Sequence, residues 1–201
     1  LHVCNKNMEN MDTNNYNSGN AKHDLLLDVC LAAKFEGQSI KHYSEQYDLK
    51  YPSSGSGSSF TTCTMLARSF ADIGDIVRGR DLYSGDNREK TKLEKNLKKI
   101  FKQIYNEVTN GKKLAKAKDR YKDTKNFYQL REDWWEANRQ DVWKAMTCSD
   151  ELRGASYFRK TCSDEQGESI ANHKCRCPKT SGGKANDQVP TYFDYVPQYL
   201  R

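Results

Sequence analysis

The side chains of this 201-residue sequence that are best suited to chemistry are seven cysteines, four histidines and two closely spaced aspartates. No nucleophile or metalloprotease motif surrounds them, since the sequence contains no GxSxG, HExxH, P-loop or GxGxxG pattern. A cysteine–histidine dyad stays open from the sequence alone, but no motif supports one. Asp72 and Asp75 match neither a glycosidase signature nor a calcium loop. We therefore predict that they belong to a buried structural network with Arg78 or Arg80, in a protein that is not an enzyme and needs no cofactor.

The cysteines are better explained as disulfides than as metal or redox centres. No CxxC pair occurs, which argues against zinc ribbons and thioredoxin-like chemistry. Disulfides indicate an oxidising compartment. Because seven is odd, at least one thiol must be free or pair outside the chain. We expect this cysteine to be Cys4. The seven are Cys4, Cys30, Cys63, Cys148, Cys162, Cys175 and Cys177.

The segment from His173 to Cys177 has the pattern His-x-Cys-x-Cys, which could supply metal ligands. Two cysteines separated by one residue rarely bond to each other, so we expect Cys175 and Cys177 to reach different parts of the chain. Arg176 would then be exposed between them. We predict no metal site here.

Apolar residues at helical spacing run through most of the chain and predict an all-α fold. The clearest stripe extends from about Lys90 to Asn110. Similar spacing indicates three more helices. The first extends over about 24–40, the second ends at about Gly79, and the third extends from Tyr121 to near Cys148. The adjacent tryptophans at 134 and 135 could form a sugar-stacking platform, but within an apolar helical stripe they are expected to lie in the core. The serine- and glycine-rich run 52–59 predicts a connecting loop, and no useful strand-like alternation is present.

The composition sets limits on this fold. Hydrophobic residues make up only 36% of the chain and charged residues 30%, so the core must be thin and needs the disulfides. No apolar run approaches the roughly 20 residues of a membrane span. The lack of an initiator Met and of a signal-peptide pattern, together with the odd cysteine, suggests a piece of a longer protein.

Positive charge is concentrated in one region. Between Arg88 and Lys122 there are thirteen Lys or Arg and four Asp or Glu, a net +9, whereas the whole chain is only +6. Such a region attracts nucleic acid, anionic lipid or sulfated glycan, and an oxidising location favours heparan sulfate-like glycans. The alternative is an ordinary solvated helix face, with Glu94-Lys98 as a routine i,i+4 pair. The predicted glycan-binding residues are Lys95, Lys99, Lys102, Lys112, Lys113, Lys116 and Arg120.

Several sequence blocks stand in a fixed order along the chain. FADIGDIVRGRDL occupies 70–82 and PTYFDYVPQYLR occupies 190–201. Between them stand WWEANRQDVWKAMTC at 134–148, YFRKTC at 157–162 and KCRC at 174–177, and LDVCLAAKFEG precedes them at 27–37. In this order the blocks resemble those of alpha-type Duffy-binding-like domains of the Plasmodium falciparum erythrocyte membrane protein 1 family. The match extends over nearly the whole chain.

This resemblance implies a disulfide-braced helical bundle that is mainly subdomain 2, with long loops. About 1–20 would end subdomain 1, about 21–170 would form subdomain 2, and about 171–201 would begin subdomain 3. It implies an extracellular adhesion module on the infected erythrocyte, without enzymatic activity, in a parent protein anchored in the membrane outside this chain. Partners would be erythrocyte or endothelial receptors, sulfated glycans, blood-group sugars or complement receptor 1, in rosetting or cytoadherence, and not nucleic acid.

The resemblance also implies disulfide pairs. The equivalents of Cys30 and Cys148 tend to be lost together among family members, and a bridge between them suits an inward-facing Cys30. Cys63–Cys162 is the next expected pair, which leaves the other three cysteines to pair outside the chain or with one another. An alternative function is also open, in which this segment is an antigenically variable scaffold and receptor contacts are made elsewhere in the parent protein.

Overall fold

The computed structural model describes residues 6–11, 13, 16, 19–50, 57–81, 87–110, 114–164, 167–177 and 188–201. Within these ranges the chain is mostly helical, as the all-α prediction requires. The helices are α1 (Lys6–Glu9), α2 (Ala21–Lys50), α3 (Gly57–Arg78), α4 (Asn87–Thr109), α5 (Leu114–Arg120) and α6 (Tyr128–Met146). Short 3-10 helices follow at Asp150–Leu152, Phe193–Tyr195 and Gln198–Leu200. None of the described helices combines the length and apolar character that a membrane span requires.

A small antiparallel hairpin, which the sequence did not predict, joins strands β1 (Lys160–Asp164) and β2 (Gly167–Ile170). Its strands lack alternating apolar residues, so apolar spacing did not predict them. Cys162 bonds to Cys177, and the Gln188 side chain donates to the Thr161 carbonyl at 3.2 Å. The loop predicted at 52–59 is described only from Gly57, where the chain is already helical.

The core is formed where α2, α3, α4 and α6 meet. The indole of Trp134, near the start of α6, donates to the Lys22 carbonyl near the start of α2 at 3.2 Å. Gly37 lies against the Met146 carbonyl, near the end of α6. Because the first half of α6 lies beside the start of α2 and its end lies beside the middle of α2, the two helices run parallel.

Aromatic side chains fill the centre of this bundle. The ring of Phe70 contacts Trp135 and Trp143 at centroid distances of 5.1 and 5.2 Å, and Phe101 meets Trp134 at 6.2 Å. Trp135 is fully buried and Trp134 is nearly so. The predicted core role of the paired tryptophans is therefore confirmed.

Helix α3 ends in a left-handed residue, Gly79, with φ +73°. Its N–H bonds to the Ile76 carbonyl and the next N–H, of Arg80, bonds to the Asp75 carbonyl, which is the Schellman arrangement. A Cβ at Gly79 would also lie 2.7 Å from the Arg131 guanidinium. Glycine is therefore required at this position by both backbone angle and space.

Two disulfides connect distant parts of the chain, and they differ from the expected pairs. Cys63 bonds to Cys175, and Cys162 bonds to Cys177. The expected Cys63–Cys162 pair is therefore wrong. The two cysteines of the His173–Cys177 segment therefore bond to different parts of the chain, as expected: Cys175 to α3 and Cys177 to β1. The first cysteine of the chain lies outside the described residues.

The expected Cys30–Cys148 bridge is also wrong, since both residues are free thiols. The parallel packing of α2 on α6 explains why. Gly37 of α2 is level with Met146, so Cys148 lies beyond the level of Gly37, whereas Cys30 lies seven residues earlier. Seven residues of helix correspond to about 10 Å, which exceeds the Cα separation of roughly 7 Å that a disulfide tolerates.

Candidate basic face and the network that supports it

The predicted glycan-binding lysines of α4 share one face of the helix. Lys95, Lys99 and Lys102 stand at i, i+4 and i+7, and all three are exposed. Together they extend over about 10 Å of helix. Within the described part of the chain, none of the three makes an ion pair. The opposite side of α4 is buried in the core and carries Leu97, Ile100, Phe101 and Ile104.

A shallow depression of about 440 Å³ lies at the beginning of this face. The Lys92 ammonium lies 3.5 Å from the side-chain oxygen of Asn10, which places α1 beside the depression. Four lysines line this space, so a ligand there would meet several positive charges. Its lining residues are Thr91, Lys92, Lys95, Asn96, Lys98 and Lys99.

Glu94 is next to Lys95 on α4, and its carboxylate pairs with a residue of another helix. Its carboxylate accepts from both terminal nitrogens of the fully buried Arg131 of α6, at 2.9 and 2.8 Å. The expected pair with Lys98 is present, at 3.6 Å. Because Arg131 neutralises Glu94 from the inner side, the outer face of α4 keeps its positive character.

Arg120, at the end of α5, is held by an acid. Its Nε and Nη2 lie 2.5 and 2.7 Å from the two oxygens of Asp133, which also accepts from the Tyr121 hydroxyl at 2.9 Å. These hydrogen bonds, first that of Arg120, lower the pKa of Asp133. Arg120 therefore attaches α5 to α6. Lys116 is exposed on α5, whereas the predicted residues Lys112 and Lys113 lie outside the described residues.

A buried ion network joins the two sequence blocks at 70–82 and 190–201. The Asp75 carboxylate accepts from Arg78 at 2.9 Å and from Arg201, and Arg201 also donates to Asp72 at 3.0 Å. The predicted structural network is therefore present, with Arg78 as the partner. Arg80 pairs with Glu132 instead, at 2.7 Å.

Asp194 is the second centre of this network, and no pattern in the sequence predicts its role. Its carboxylate accepts two bonds from Arg139, both at 2.8 Å, and one from the Trp135 indole at 2.9 Å. Its carbonyl accepts from Arg78. All these side chains are buried or nearly so. Since 55 to 116 residues separate Asp194 from these partners, no local pattern could have revealed the contact.

The turn from His173 to Cys177 closes the end of α6. Lys174 donates to the Cys148 carbonyl at 3.3 Å, and Arg176 donates to the Lys144 carbonyl at 2.6 Å. Cations at the carbonyl end of a helix offset its dipole. Arg176 is thus half-buried rather than exposed as expected. Both sulfurs belong to disulfides, so they cannot serve as metal ligands, and the described residues contain no cluster of three potential ligands.

These observations describe a disulfide-braced helical domain with a row of exposed lysines on α4. The whole chain, residues 1–201, matches the family model for the Duffy binding domain, and the chain belongs to that family. Comparison with curated proteins finds no match.

Solved structures of the same family resemble the chain. The NTS-DBL1α domain of Plasmodium falciparum membrane protein 1 (PfEMP1) from the varO strain is 38% identical over 99% of this chain, with a TM-score of 0.70. The ICAM-1-binding PfEMP1 IT4var13 DBLβ domain is 37% identical over the full chain, with a TM-score of 0.67. The same DBLβ domain bound to ICAM-1 is 34% identical over 99% of the chain, with a TM-score of 0.69. The chain spans only 39–40% of the length of these proteins.

Proposed function

We propose that this chain is part of an extracellular adhesion module of PfEMP1 type, displayed on the infected erythrocyte, which binds heparan sulfate-like glycans through the basic face of α4. The observation that carries this proposal is the row of exposed lysines Lys95, Lys99 and Lys102, opposite a fully buried side of the same helix. The family membership supports a binding role rather than catalysis.

Within this proposal the predicted residues have different roles. Lys95, Lys99 and Lys102 contact the glycan directly, and Lys116 extends the face onto α5. Arg120 contributes less, because its guanidinium is already bonded to Asp133. Lys112 and Lys113 lie between these two helices in the sequence and stay part of the proposal on charge alone.

A protein receptor is the second candidate partner. One DBLβ relative has been solved bound to ICAM-1, which supports protein receptors on erythrocytes or endothelium as ligands for this type of domain. Under this alternative the lysine face would add long-range attraction, while specific contacts lie elsewhere. In the extreme case the segment would be a variable scaffold that makes no receptor contact.

The test is a charge reversal on the lysine face. We expect Lys95→Glu, Lys99→Glu and Lys102→Glu together to abolish retention on heparin at roughly 0.15 M salt, because the polyanion loses its counter-charges. The control reverses three exposed lysines elsewhere, Lys22, Lys34 and Lys160, which changes the net charge by the same amount. Circular dichroism must show that both variants are folded.

The comparison between the two triple variants shows whether heparin binds the lysine face or responds only to net charge. If both lose retention equally, heparin responds only to net charge and the proposed face is wrong. If the unsubstituted 201-residue chain is folded but binds neither heparin nor erythrocytes, the scaffold alternative is favoured.

A further inference from the structure

A cavity of about 340 Å³ lies where the end of α3, the outer part of α4 and the start of α6 meet. Ile76 of α3 and Leu93 and Leu97 of α4 give it apolar walls, and Tyr128 of α6 gives it an aromatic one. This size, with a largely apolar lining and a few polar groups, is typical of a site for a small ligand unit.

Tyr128 presents a flat surface to this cavity. The residue is 48% exposed, and its ring lies against Gly79, since a Cβ at Gly79 would lie 3.3 Å from the Tyr128 Cε1 atom. The Tyr128 backbone N–H also donates to the Asp123 carboxylate at 3.4 Å. An aromatic ring that is held in place and still half exposed can stack on the apolar face of a sugar ring.

The charges of the cavity differ from those of the depression at the beginning of the lysine face. The depression is lined by four lysines and no acid. Among the described residues that line the cavity, Asp81 and Glu94 face a single cation, Lys98. Carboxylates repel sulfate groups, whereas their oxygens accept hydrogen bonds from hydroxyl groups. The cavity therefore favours an uncharged sugar unit.

Both carboxylates are held in fixed positions. Glu94 accepts from Arg131 at 2.9 and 2.8 Å, and Asp81 accepts from the Gln198 amide at 3.1 Å. A carboxylate has about four acceptor positions in all, so each of these groups can also accept from a ligand hydroxyl. The cavity thus combines an aromatic wall with positioned acceptors.

The cavity and the lysine depression are neighbours. Lys98 lines both of them, and its ammonium lies 3.6 Å from Glu94. One glycan chain lying along α4 can therefore place a sulfated unit in the depression and an unsulfated unit in the cavity.

We infer that the cavity is the uncharged half of the glycan site and takes an unsulfated N-acetylhexosamine unit. Tyr128 stacks on the sugar ring, and Asp81 and Glu94 accept from its hydroxyl groups. This inference rests on the proposed glycan binding by the lysine face and makes it more specific. The preferred ligand is a heparan sulfate in which N-acetylated, unsulfated units alternate with sulfated ones, rather than a uniformly sulfated heparin.

The experiment compares two oligosaccharides of equal length, one of mixed heparan sulfate type and one of fully N-sulfated heparin. We expect Tyr128→Ala to weaken binding of the mixed oligosaccharide by at least about fivefold, because a stacked aromatic surface is lost. Binding of the heparin oligosaccharide should not change. The slope of log Kd against log salt should also stay the same, because no ionic contact is removed.

Tyr43→Ala is the matched control, since Tyr43 is an exposed tyrosine on α2, at 58% exposure. It should change neither affinity. Circular dichroism must show that both variants are folded. Should Tyr128→Ala fail to fold, Tyr128→Leu keeps apolar bulk at the position but removes the aromatic surface, and the same selective loss is expected.

Other outcomes would overturn the inference. If Tyr128→Ala weakens both oligosaccharides equally, or neither, while the unsubstituted chain binds heparin, the lysine face stands without this cavity. If a fully desulfated, N-acetylated oligosaccharide binds as tightly as the mixed one, the two spaces do not form one site. If the unsubstituted chain binds none of these ligands, the proposed glycan function fails, and the inference fails with it.

Discussion

At the scale of single residues, Asp194 has the greatest structural consequence. Its carboxylate is almost completely buried and accepts hydrogen bonds from Arg139 and Trp135. Burial acts against the charge of Arg139, yet the hydrogen bonds and the charge of Asp194 raise the pKa of Arg139 overall. The Arg139 guanidinium therefore depends on the Asp194 carboxylate to offset its desolvation.

Removing one partner should reveal this dependence. We expect Asp194→Ala to lower the free energy of unfolding by about 3–5 kcal/mol, because it leaves the buried Arg139 without its counter-charge. Asp141→Ala on the exposed side of α6, where Asp141 lies 3.7 Å from Lys144, should cost less than about 1 kcal/mol. Urea denaturation followed by circular dichroism measures both. Equal losses would show that Asp194 is not a central contact.

The two free thiols should differ in reactivity. Burial, and then the nearby Asp141 carboxylate, raise the pKa of Cys30 to about 11, whereas Cys148 is exposed. In a Cys4→Ser background, iodoacetamide should modify Cys148 first. The rate at Cys30 should rise about tenfold per pH unit between pH 7 and 10, because only the thiolate reacts. Mass spectrometry over time measures both rates, and a disulfide between the two thiols would leave neither reactive.

At the scale of elements, the parallel contact of α2 with α6 sets the width of the bundle. The helices approach closely at Gly37, since a Cβ there would lie 2.1 Å from the Met146 carbonyl oxygen. That oxygen belongs to the backbone and cannot rotate away. The two helices would have to separate to admit any larger residue.

This contact reverses the usual effect of a glycine substitution. Gly→Ala inside a helix normally stabilises a protein by roughly 0.5–1 kcal/mol. We expect Gly37→Ala to destabilise the chain by at least about 2 kcal/mol, because overpacking separates α2 from α6. Ser39→Ala, at an exposed position of the same helix, controls for helix propensity. Thermal unfolding of the two variants gives the comparison, and a stabilised Gly37→Ala variant would contradict the close packing.

The helices were predictable because each has a local pattern. Helix α4 was expected from about Lys90 to Asn110 and extends over Asn87–Thr109, since a single apolar stripe defines it. Helix α2 was expected only to about residue 40, but it continues to Lys50. The buried Ser44 hydroxyl meets that of Thr62 on α3 in this extension, a tertiary contact that apolar spacing does not reveal.

The lysine face was predictable for a similar reason, because charge and helical spacing are both local. The sequence could not show that Asp133 holds Arg120, or that Arg131 takes the charge of Glu94, since those contacts join different helices. The disulfides could not be assigned either. Cysteine spacing gives the number of possible pairs but not which of them the fold brings together.

At the scale of the whole molecule, the two disulfides stabilise very different lengths of chain. Cys63–Cys175 joins residues 112 positions apart, whereas Cys162–Cys177 joins residues only 15 apart. The longer bridge links the N-terminal half of α3 to the turn at the end of α6. It therefore constrains most of the described bundle when the chain is unfolded.

The longer bridge should stabilise the protein more. In the chain-entropy model the two loops correspond to about 5 and about 3 kcal/mol. We expect Cys63→Ala/Cys175→Ala to lower the urea midpoint further than Cys162→Ala/Cys177→Ala, with the difference approaching about 2 kcal/mol. Denaturation of both double variants under non-reducing conditions shows which of them loses more stability. An equal or reversed order would show that strain or residual structure outweighs loop length.

The placement of Cys175 and Cys177 on one short turn has a consequence for obtaining the protein in its native form. The four bonded cysteines have three possible connectivities. One of them would join Cys175 to Cys177, and the other two differ only by an exchange between these neighbouring sulfurs. An oxidative refolding preparation can therefore hold a swapped isomer of identical mass. Arg176 lies between the two cysteines, so trypsin separates them, and the peptide attached to Cys63 distinguishes the native isomer from the swapped one.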